Sequence, residues 1–182
     1  MQDDDDQAAI AAFRSGRRDA FIGLVERYQR PIYNAAFWIL RRPEDASDVA
    51  QTAFLKAIER LDDYDPRFRF FSWLYRIAVN EALDVLRRNG REEPLDDEVD
   101  LVDADGAGPE QRVARAQDEE RLRRCMLRLS LNDRLVLTLR HFSELGYDEI
   151  GRVLELDEKT VKSRLFEARK RLRDLITHQM VP

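Results

Sequence analysis

An acidic stretch in the middle of the chain limits how the apolar residues can combine into a core. Residues 91–111 read REEPLDDEVDLVDADGAGPEQ, a segment rich in acidic residues, Gly and Pro. It has no helical repeat of apolar residues, so it is typical of a solvated linker. On both sides of it, apolar residues recur at spacings of three and four. We therefore expect this chain of 182 residues to form two small domains joined by a flexible acidic linker.

The composition favours helices in both domains. Strand-like alternation of apolar and polar residues is scarce, and only 7 Gly and 6 Pro interrupt the chain. These features predict an all-α fold. The predicted organisation is a disordered acidic tail at 1–7, a helical domain at 8–90, the linker at 91–111, and a second helical domain with a helix-turn-helix at 112–182.

The net charge of −5 conceals a basic C-terminal part. Residues 91–120 hold 12 acidic residues against three Lys and Arg. Residues 121–182, in contrast, hold 14 Lys and Arg against nine acidic residues. The second domain therefore has the charge expected of a protein that contacts a polyanion.

Several classes of protein are disfavoured. Cys125 is the single cysteine, and His141 and His178 are far apart in sequence, so we predict no disulfide framework, metal site or cofactor. The N-terminus, MQDDDDQ, is the opposite of a basic signal sequence, and no apolar run is long enough for direct membrane insertion. No nucleophile–base pair, Gly-rich phosphate loop or HExxH motif indicates an enzyme. We expect a cytoplasmic protein.

The strongest local pattern lies near the C-terminus, in YDEIGRVLELDEKTVKSRLFEARKRL, residues 147–172. It predicts two helices around a short turn, with Asp157 capping the second helix and Glu155 at a turn position where Gly is usual. Residues 158–176 include seven Lys and Arg and three acidic residues. The buried stripe of the second helix is predicted to comprise Val161, Leu165, Ala168 and Leu172. The pattern favours a DNA-binding helix-turn-helix, and the alternative is a helical hairpin with a solvated basic face.

A second pattern lies in the first domain, in DPRFRFFSWLYRIAVNEALDVLRR, residues 65–88. Five aromatic residues are interleaved with Arg67, Arg69 and Arg76. Rings that lie beside arginines are suited to stacking on unpaired bases while the guanidinium groups neutralise phosphates. The alternative is an ordinary aromatic core, which must hold for some of these rings because the segment runs into a helix.

In this order along the chain, the segments resemble a bacterial sigma factor of the extracytoplasmic-function (ECF) type. DASDVAQTAFLKAIERL looks like the family's helix that docks on core RNA polymerase, and WLYRIAVN followed by LDVLRR looks like its promoter-melting segment. TVKSRL followed by ARKRL looks like its −35-reading helix. The resemblance implies a factor that binds core RNA polymerase and promoter DNA. It also implies that the −35 element is read as duplex and the −10 element as melted single strand.

The resemblance assigns roles residue by residue. Residues implied at the −35 element are Lys159, Thr160, Lys162, Ser163, Arg164, Phe166, Glu167 and Lys170. Residues implied at the −10 element are Arg67, Phe68, Arg69, Phe70, Phe71, Trp73, Arg76 and Asn80. Residues implied in polymerase docking are Asp45, Asp48, Val49, Gln51, Phe54 and Leu55. Ser47 and Thr52 stand where acidic residues are common in the family, which suggests either plain variation or phosphorylation that restores negative charge.

Glu167 departs from the family because a basic base-reading residue is frequent at its position. A carboxylate can accept a hydrogen bond from cytosine N4 but cannot donate to guanine, so we expect an altered −35 preference. The resemblance also implies control by an anti-sigma factor or another regulator. The rival interpretations are a two-domain transcriptional regulator that needs no polymerase, and a sigma-like decoy that binds an anti-sigma factor but no promoter.

Overall fold

Every regular element in the described part of the chain is a helix. The computed structural model describes residues 2–89, 120–143 and 145–178. The helices are α1 Gln2–Arg14, α2 Ala20–Leu40, α3 Pro43–Glu59, α4 Phe70–Asn89, α5 at residues 120–127, α6 Leu131–Leu137, α7 Tyr147–Leu154 and α8 Glu158–His178. A 3₁₀ turn, Leu61–Asp63, follows α3, and a π-helical turn, Thr138–Phe142, extends α6. The predicted linker at 91–111 lies outside the described residues.

The predicted all-α fold is thus confirmed. Among the described residues, no helix has both the length and the apolar content that are needed to cross a bilayer.

The N-terminal acidic residues belong to a helix, so the prediction of a disordered tail at 1–7 is wrong for residues 2–7. Asp6 is only 1% exposed and accepts hydrogen bonds from Arg27 and the Tyr28 hydroxyl. Gln7 donates to the Tyr64 hydroxyl at 2.6 Å. Burial, and then the bond to Asp6, raise the pKa of Tyr28. A buried carboxylate with two donors anchors α1 to the first domain, which a run of four aspartates in sequence does not reveal.

Helices α2, α3 and α4 form the core of the first domain. Helix α2 continues through Pro31, and the neighbouring Tyr28 and Ile32 are buried. Helix α3 begins at Pro43, which is favoured at the first helical position, and Asp45 lies in its first turn. Small side chains on the inner face of α3 allow close packing against α2 and α4, and they are Ala46, Ala50, Ala53 and Ala57.

The second domain packs α5, α6 and α7 around the predicted buried stripe of α8. Val161, Leu165 and Ala168 are buried, and Leu172 packs against the core. Ser130 caps α6 by accepting a hydrogen bond from the Asp133 backbone N–H at 3.2 Å. Arg171 of α8 donates to both Asp133 carboxylate oxygens, at 2.8 and 2.9 Å. This pair ties the start of α6 to the middle of α8.

The two domains contact each other through the end of α2 and through α4. Arg134 of α6 is 4% exposed and donates to the Trp38 carbonyl oxygen at 3.0 Å and the Leu129 carbonyl oxygen at 2.8 Å. Arg41, which follows α2 with a left-handed φ of 61°, donates to the Leu127 carbonyl oxygen at 2.7 Å. Each guanidinium therefore bridges the domains by satisfying backbone acceptors at helix ends.

Candidate nucleic-acid interface

Helices α7 and α8 form the predicted helix-turn-helix, and two residues make its sharp turn possible. A Cβ at Gly151 would lie 2.6 Å from the Leu156 carbonyl oxygen, so only glycine fits this close approach. Glu155 ends α7 with φ 55° and ψ 45°, the left-handed conformation in which a side chain is strained. The turn therefore has the geometry predicted for it, with a residue that does not favour that geometry.

The face of α8 opposite its buried stripe is open to solvent. Phe166 is 67% exposed, the highest fraction among the exposed large apolar side chains of the described residues. Four of the predicted −35 residues are exposed with it, and they are Lys159, Lys162, Ser163 and Lys170. Thr160, Arg164 and Glu167 are half-buried along the edges of this face. A row of cations, a hydroxyl and an aromatic ring on one helix face suits a DNA groove.

The start of α8 is held by Asp157, which confirms the predicted cap. Its carboxylate accepts hydrogen bonds from the Thr160 backbone N–H at 2.8 Å and from the Thr160 hydroxyl at 2.7 Å. The bonds from Thr160 lower the pKa of Asp157. The Thr160 hydroxyl is thus committed to the cap, which leaves Ser163 as the hydroxyl of α8 that is better placed to reach DNA.

Lys162 is held by two neighbours. Its ammonium group lies 2.6 Å from the Glu158 carboxylate and 5.3 Å from the centroid of the Tyr147 ring. The hydrogen bond to Glu158 is the main cause that raises the pKa of Lys162. Arg140 packs against the same Tyr147 ring at 5.0 Å. Sequence reasoning did not identify Tyr147, although an aromatic residue at the start of the first helix of the pair was its visible signal.

The aromatic–arginine segment divides between core and surface. Phe70 and Phe71 are 1% and 6% exposed, so the prediction that they line a base-capturing loop is not supported by their placement. Phe71 stacks on Tyr28 with ring centroids 4.9 Å apart, and Phe70 meets Tyr64 edge-on at 5.5 Å. Both rings therefore pack in the domain core beneath the loop, as the alternative of an ordinary aromatic core predicts for them.

Phe68 is the ring of this segment that reaches solvent, with 44% of its surface exposed. Arg67 beside it is exposed and pairs with Asp65 at 2.6 Å. That hydrogen bond lowers the pKa of the Asp65 carboxyl. Arg69 and Trp73 are half-buried, and Arg76 and Asn80 of α4 are exposed. The surface of this segment thus presents Phe68 among arginines, which is the arrangement that stacking on an unpaired base requires.

The predicted docking residues of α3 are also divided. Asp48 and Gln51 are exposed, Asp45 is half-buried, and Leu55 is 55% exposed. Val49 and Phe54 are buried in the domain core, so their side chains cannot contact a partner. Ile58 is 37% exposed and lies near Leu55 on the outer face of the helix.

Two further residues of α7 lie against the aromatic–arginine segment. The Arg152 guanidinium lies 4.5 Å from the centroid of the Phe68 ring. Glu149 accepts a hydrogen bond from the Ser72 hydroxyl of α4. No local sequence signal indicates these contacts, because they depend on how the two domains meet. The surface ring of the first domain is therefore partly covered by the second.

The residues considered for metal binding do not come together. Among the described residues, no three His, Cys, Asp or Glu side chains are grouped so that they could hold a metal ion. Cys125 is buried in α5, and burial raises the pKa of its thiol. His141 accepts a hydrogen bond from Arg169 at 3.2 Å, and burial is the main cause that lowers its pKa.

Two family models match the two domains in the predicted order. Residues 24–92 match sigma-70 region 2, and residues 119–172 match sigma-70 region 4. The chain is 34% identical to the ECF RNA polymerase sigma factor SigW of Bacillus subtilis, over 91% of this chain and 96% of SigW. It is also 34% identical to the ECF RNA polymerase sigma-E factor of Escherichia coli K12, over 91% of each chain.

Solved structures give the same result. CnrH, in complex with the cytosolic domain of CnrY, is 28% identical with a TM-score of 0.69, over 96% of this chain and 98% of CnrH. The sigma factor RpoE of Bartonella quintana, in complex with the anti-sigma factor NepR, shares the fold at 21% identity and a TM-score of 0.72, over 87% of this chain and 98% of RpoE. Sequence, domain order and fold therefore agree that this chain belongs to the ECF sigma factors, transcription initiation factors that direct RNA polymerase to promoters.

Proposed function

We propose that this sigma factor reads the −35 element as duplex through α8, captures a base of the melted −10 strand at Phe68, and docks on core RNA polymerase through α3. The observation that supports the proposal most strongly is the exposed face of α8. There, Lys159, Ser163 and Phe166 lie opposite a buried apolar stripe in a capped helix. A helix whose inner face is fully used for packing has its outer face available for a groove.

At the −35 element, different groups on α8 contact different parts of the DNA. Lys159, Lys162 and Lys170 neutralise phosphates, while the Ser163 hydroxyl bonds a base edge and the Phe166 ring contacts a thymine methyl group. Thr160 acts through the cap, because Asp157 engages its hydroxyl. The half-buried Arg164 donates from the edge of the face.

Glu167 gives this surface its distinctive preference. No ion pair joins it to another residue in the described part of the chain, so its carboxylate keeps an acceptor for a base. It lies one turn beyond Ser163 on the same side of α8. An acceptor at this position favours cytosine, whose N4 amino group is a donor, over guanine, which presents only acceptors in the major groove.

At the −10 element, Phe68 provides the stacking surface, and Arg67, Arg69 and Arg76 neutralise phosphates. Asn80 is exposed on α4 two turns after Trp73 and supplies an amide to the same side. Phe70 and Phe71 act as the floor of the loop, since both are buried. One exposed ring is sufficient to stack a single base that has left the duplex.

The outer face of α3 docks on polymerase through a surface that contains both polar and apolar side chains. Asp48 and Gln51 give it polarity, and the exposed Leu55 and Ile58 give it an apolar centre. A small apolar patch bordered by polar groups is the composition expected of a protein–protein contact. Val49 and Phe54 hold α3 in place from inside the domain.

A protein regulator also contacts this chain under our proposal. CnrH was solved with the cytosolic domain of CnrY, and this chain matches CnrH over nearly the full length of both. We propose an anti-sigma factor as the corresponding partner, acting on a cytoplasmic sigma factor.

Phosphorylation of α3 is an alternative mode of control. Ser47 is exposed in the early turns of α3, and Thr52 is half-buried one turn later. A phosphate at either hydroxyl would add about −1.5 to −2 charges to the docking helix. Plain sequence variation is the simpler explanation, so we expect Thr52→Asp and Thr52→Ala to transcribe equally well. Higher activity of Thr52→Asp alone would favour phosphorylation.

The experiment that tests the proposed function is run-off transcription with this protein, core RNA polymerase and a pool of genomic promoter fragments, followed by sequencing of the products. The expected result is a set of specific starts that share one −35 and one −10 motif. Polymerase binding without specific starts would favour the decoy interpretation. DNA binding without polymerase binding would contradict docking through α3.

A further inference from the structure

We propose that α7 imitates the −10 strand within the same chain, so that Arg152 and Glu149 occupy the Phe68 site until the two domains separate. This inference rests on the proposed role of Phe68 and Arg69 in reading the −10 element. It adds an intramolecular ligand for that site. The ligand is a guanidinium plane with a neighbouring carboxylate, in place of a base with its phosphate.

The guanidinium plane occupies the face of the ring that a base would use. Arg152 lies 4.5 Å from the Phe68 ring centroid, well within the range of cation–π contact. A guanidinium group is planar and weakly hydrated, so it stacks on an aromatic face much as a base does. Asp148 pairs with the same guanidinium from one turn earlier on α7 and fixes its direction. Phe68 cannot stack a base on that face while Arg152 remains there.

The carboxylate of Glu149 takes the place of a phosphate. It accepts a hydrogen bond from the Ser72 hydroxyl and lies 4.0 Å from the Arg69 guanidinium. Its side chain is 13% exposed, so the interaction is shielded from water. Carboxylates and phosphates accept from arginine and hydroxyl donors in the same way. The Glu149 carboxylate is also fixed from behind, since it accepts the Gly146 backbone N–H at 2.8 Å in the cap of α7.

The remaining contacts between the domains hold α7 against the Phe68 site. The Tyr75 side chain of α4 lies beside Ser143 in the loop before α7, and burial raises the pKa of Tyr75. Arg134 and Arg41 bridge the other end of the contact through backbone carbonyl oxygens. These bonds join α2 and α4 to the second domain, but only the α7 contacts involve residues of the proposed −10 site.

The contact has a thermodynamic consequence for DNA binding. A site that is open for only part of the time binds with an affinity reduced by that fraction. By linkage, a single strand that occupies the Phe68 site must also drive the domains apart. Weakening α7 at Arg152 should therefore separate the domains and strengthen single-strand binding together.

The test uses the intact chain with two readouts. Dyes on Glu59→Cys and Asp174→Cys, which are exposed positions in the two domains, report domain separation by energy transfer, while Cys125 stays buried. Fluorescence anisotropy of labelled, random-sequence single-stranded DNA reports binding. We expect Arg152→Gln to increase the separated population and to tighten binding about fivefold, from loss of the cation–π contact. We expect added DNA to separate the domains of the wild type.

Two further variants act as controls. Arg124→Gln removes a matched arginine that pairs with Glu120 one turn earlier on α5, and it should change neither readout. Glu149→Gln keeps an acceptor for the α7 cap but removes the charge that faces Arg69, and it should act in the same direction as Arg152→Gln. Wild-type separation and wild-type affinity in both Arg152→Gln and Glu149→Gln would overturn the proposal.

A failure of the proposed −10 role is distinguishable from a failure of the imitation. Phe68→Ala in the Arg152→Gln background should lose the gained affinity for single-stranded DNA. Unchanged affinity there, with the domains separated by Arg152→Gln, would refute the −10 assignment of Phe68. Domain separation would in that case remain attributable to α7. If Arg152→Gln leaves domain separation unchanged while Phe68→Ala weakens the binding of single-stranded DNA, the imitation is refuted and the −10 assignment of Phe68 stands.

Discussion

Two surfaces are proposed to contact nucleic acid, helix α8 and the aromatic–arginine segment at residues 65–88, and their side chains are arranged differently. In α8, the residues predicted to face inward are packed, and those predicted to face outward are exposed or half-buried. In the aromatic–arginine segment, residues of one chemical type are separated, since Phe68 is at the surface and Phe70 and Phe71 are in the core. Residue type alone therefore does not indicate which side chains are exposed. It does so only where helical periodicity also determines the direction of each side chain.

The largest expected effect separates the two kinds of phenylalanine. Phe70→Ala should lower the free energy of unfolding by about 3–5 kcal/mol, because it opens a cavity among Phe21, Tyr28 and Tyr64. Phe68→Ala should lower it by about 1 kcal/mol or less, and should abolish specific transcription instead. Urea denaturation and run-off transcription measure the two quantities. Equal destabilisation by both variants would show that Phe68 is also part of the core.

The next effect concerns base preference at α8. A selection of promoters from a randomised −35 library should recover cytosine opposite Glu167, with discrimination of about 1–3 kcal/mol against the wrong base. Glu167→Arg should shift the preference to guanine, because arginine donates where glutamate accepts. Asp174→Asn, which changes an exposed carboxylate further along α8, should leave the selected sequence unchanged. An unaltered preference in Glu167→Arg would remove this residue from base reading.

The cap of α8 should contribute a moderate amount to stability. Asp157→Ala should lower the midpoint temperature of unfolding by a few degrees, since the Thr160 backbone N–H loses its acceptor. The folded-state pKa of Asp157 is lowered, so its contribution is present above the unfolded pKa and is lost as the pH falls through the folded pKa. Asp157→Asn keeps a capping acceptor without a titrating group. Its unfolding free energy should vary less than that of the wild type across the acid range below pH ~4.

The last prediction concerns a change of the opposite sign. Glu155→Gly should raise the free energy of unfolding by about 1 kcal/mol, because the left-handed φ of 55° strains a glutamate but not a glycine. Glu26→Gly, at an exposed position inside α2, should instead lower it by about 1 kcal/mol. Thermal unfolding of both variants measures the pair. Destabilisation by Glu155→Gly would indicate that the Glu155 side chain makes a contact that outweighs the backbone strain.

Much of the fold could be predicted because its signals are local. The apolar stripe of α8, the cap at Asp157 and the unusual turn residue Glu155 were all read from neighbouring positions, and all three occur as predicted. The misses have a common cause. Asp6 was placed in a disordered tail because its partners, Arg27 and Tyr28, lie in another helix. Val49 and Phe54, which the resemblance implies in docking, are likewise buried because α3 packs against α2 and α4.

The helices, the presence of two helical domains and the outward face of α8 could be predicted from the sequence. Each of these follows from hydrogen bonding and side-chain spacing within a few turns of one helix. Three features emerge from the folded structure alone: which rings of residues 65–88 are buried, why Asp6 is tolerated in a core, and that Arg152 lies on Phe68. The reason is that burial and cross-domain contacts depend on which distant surfaces meet. The spacing of residues along one segment carries no information about that meeting.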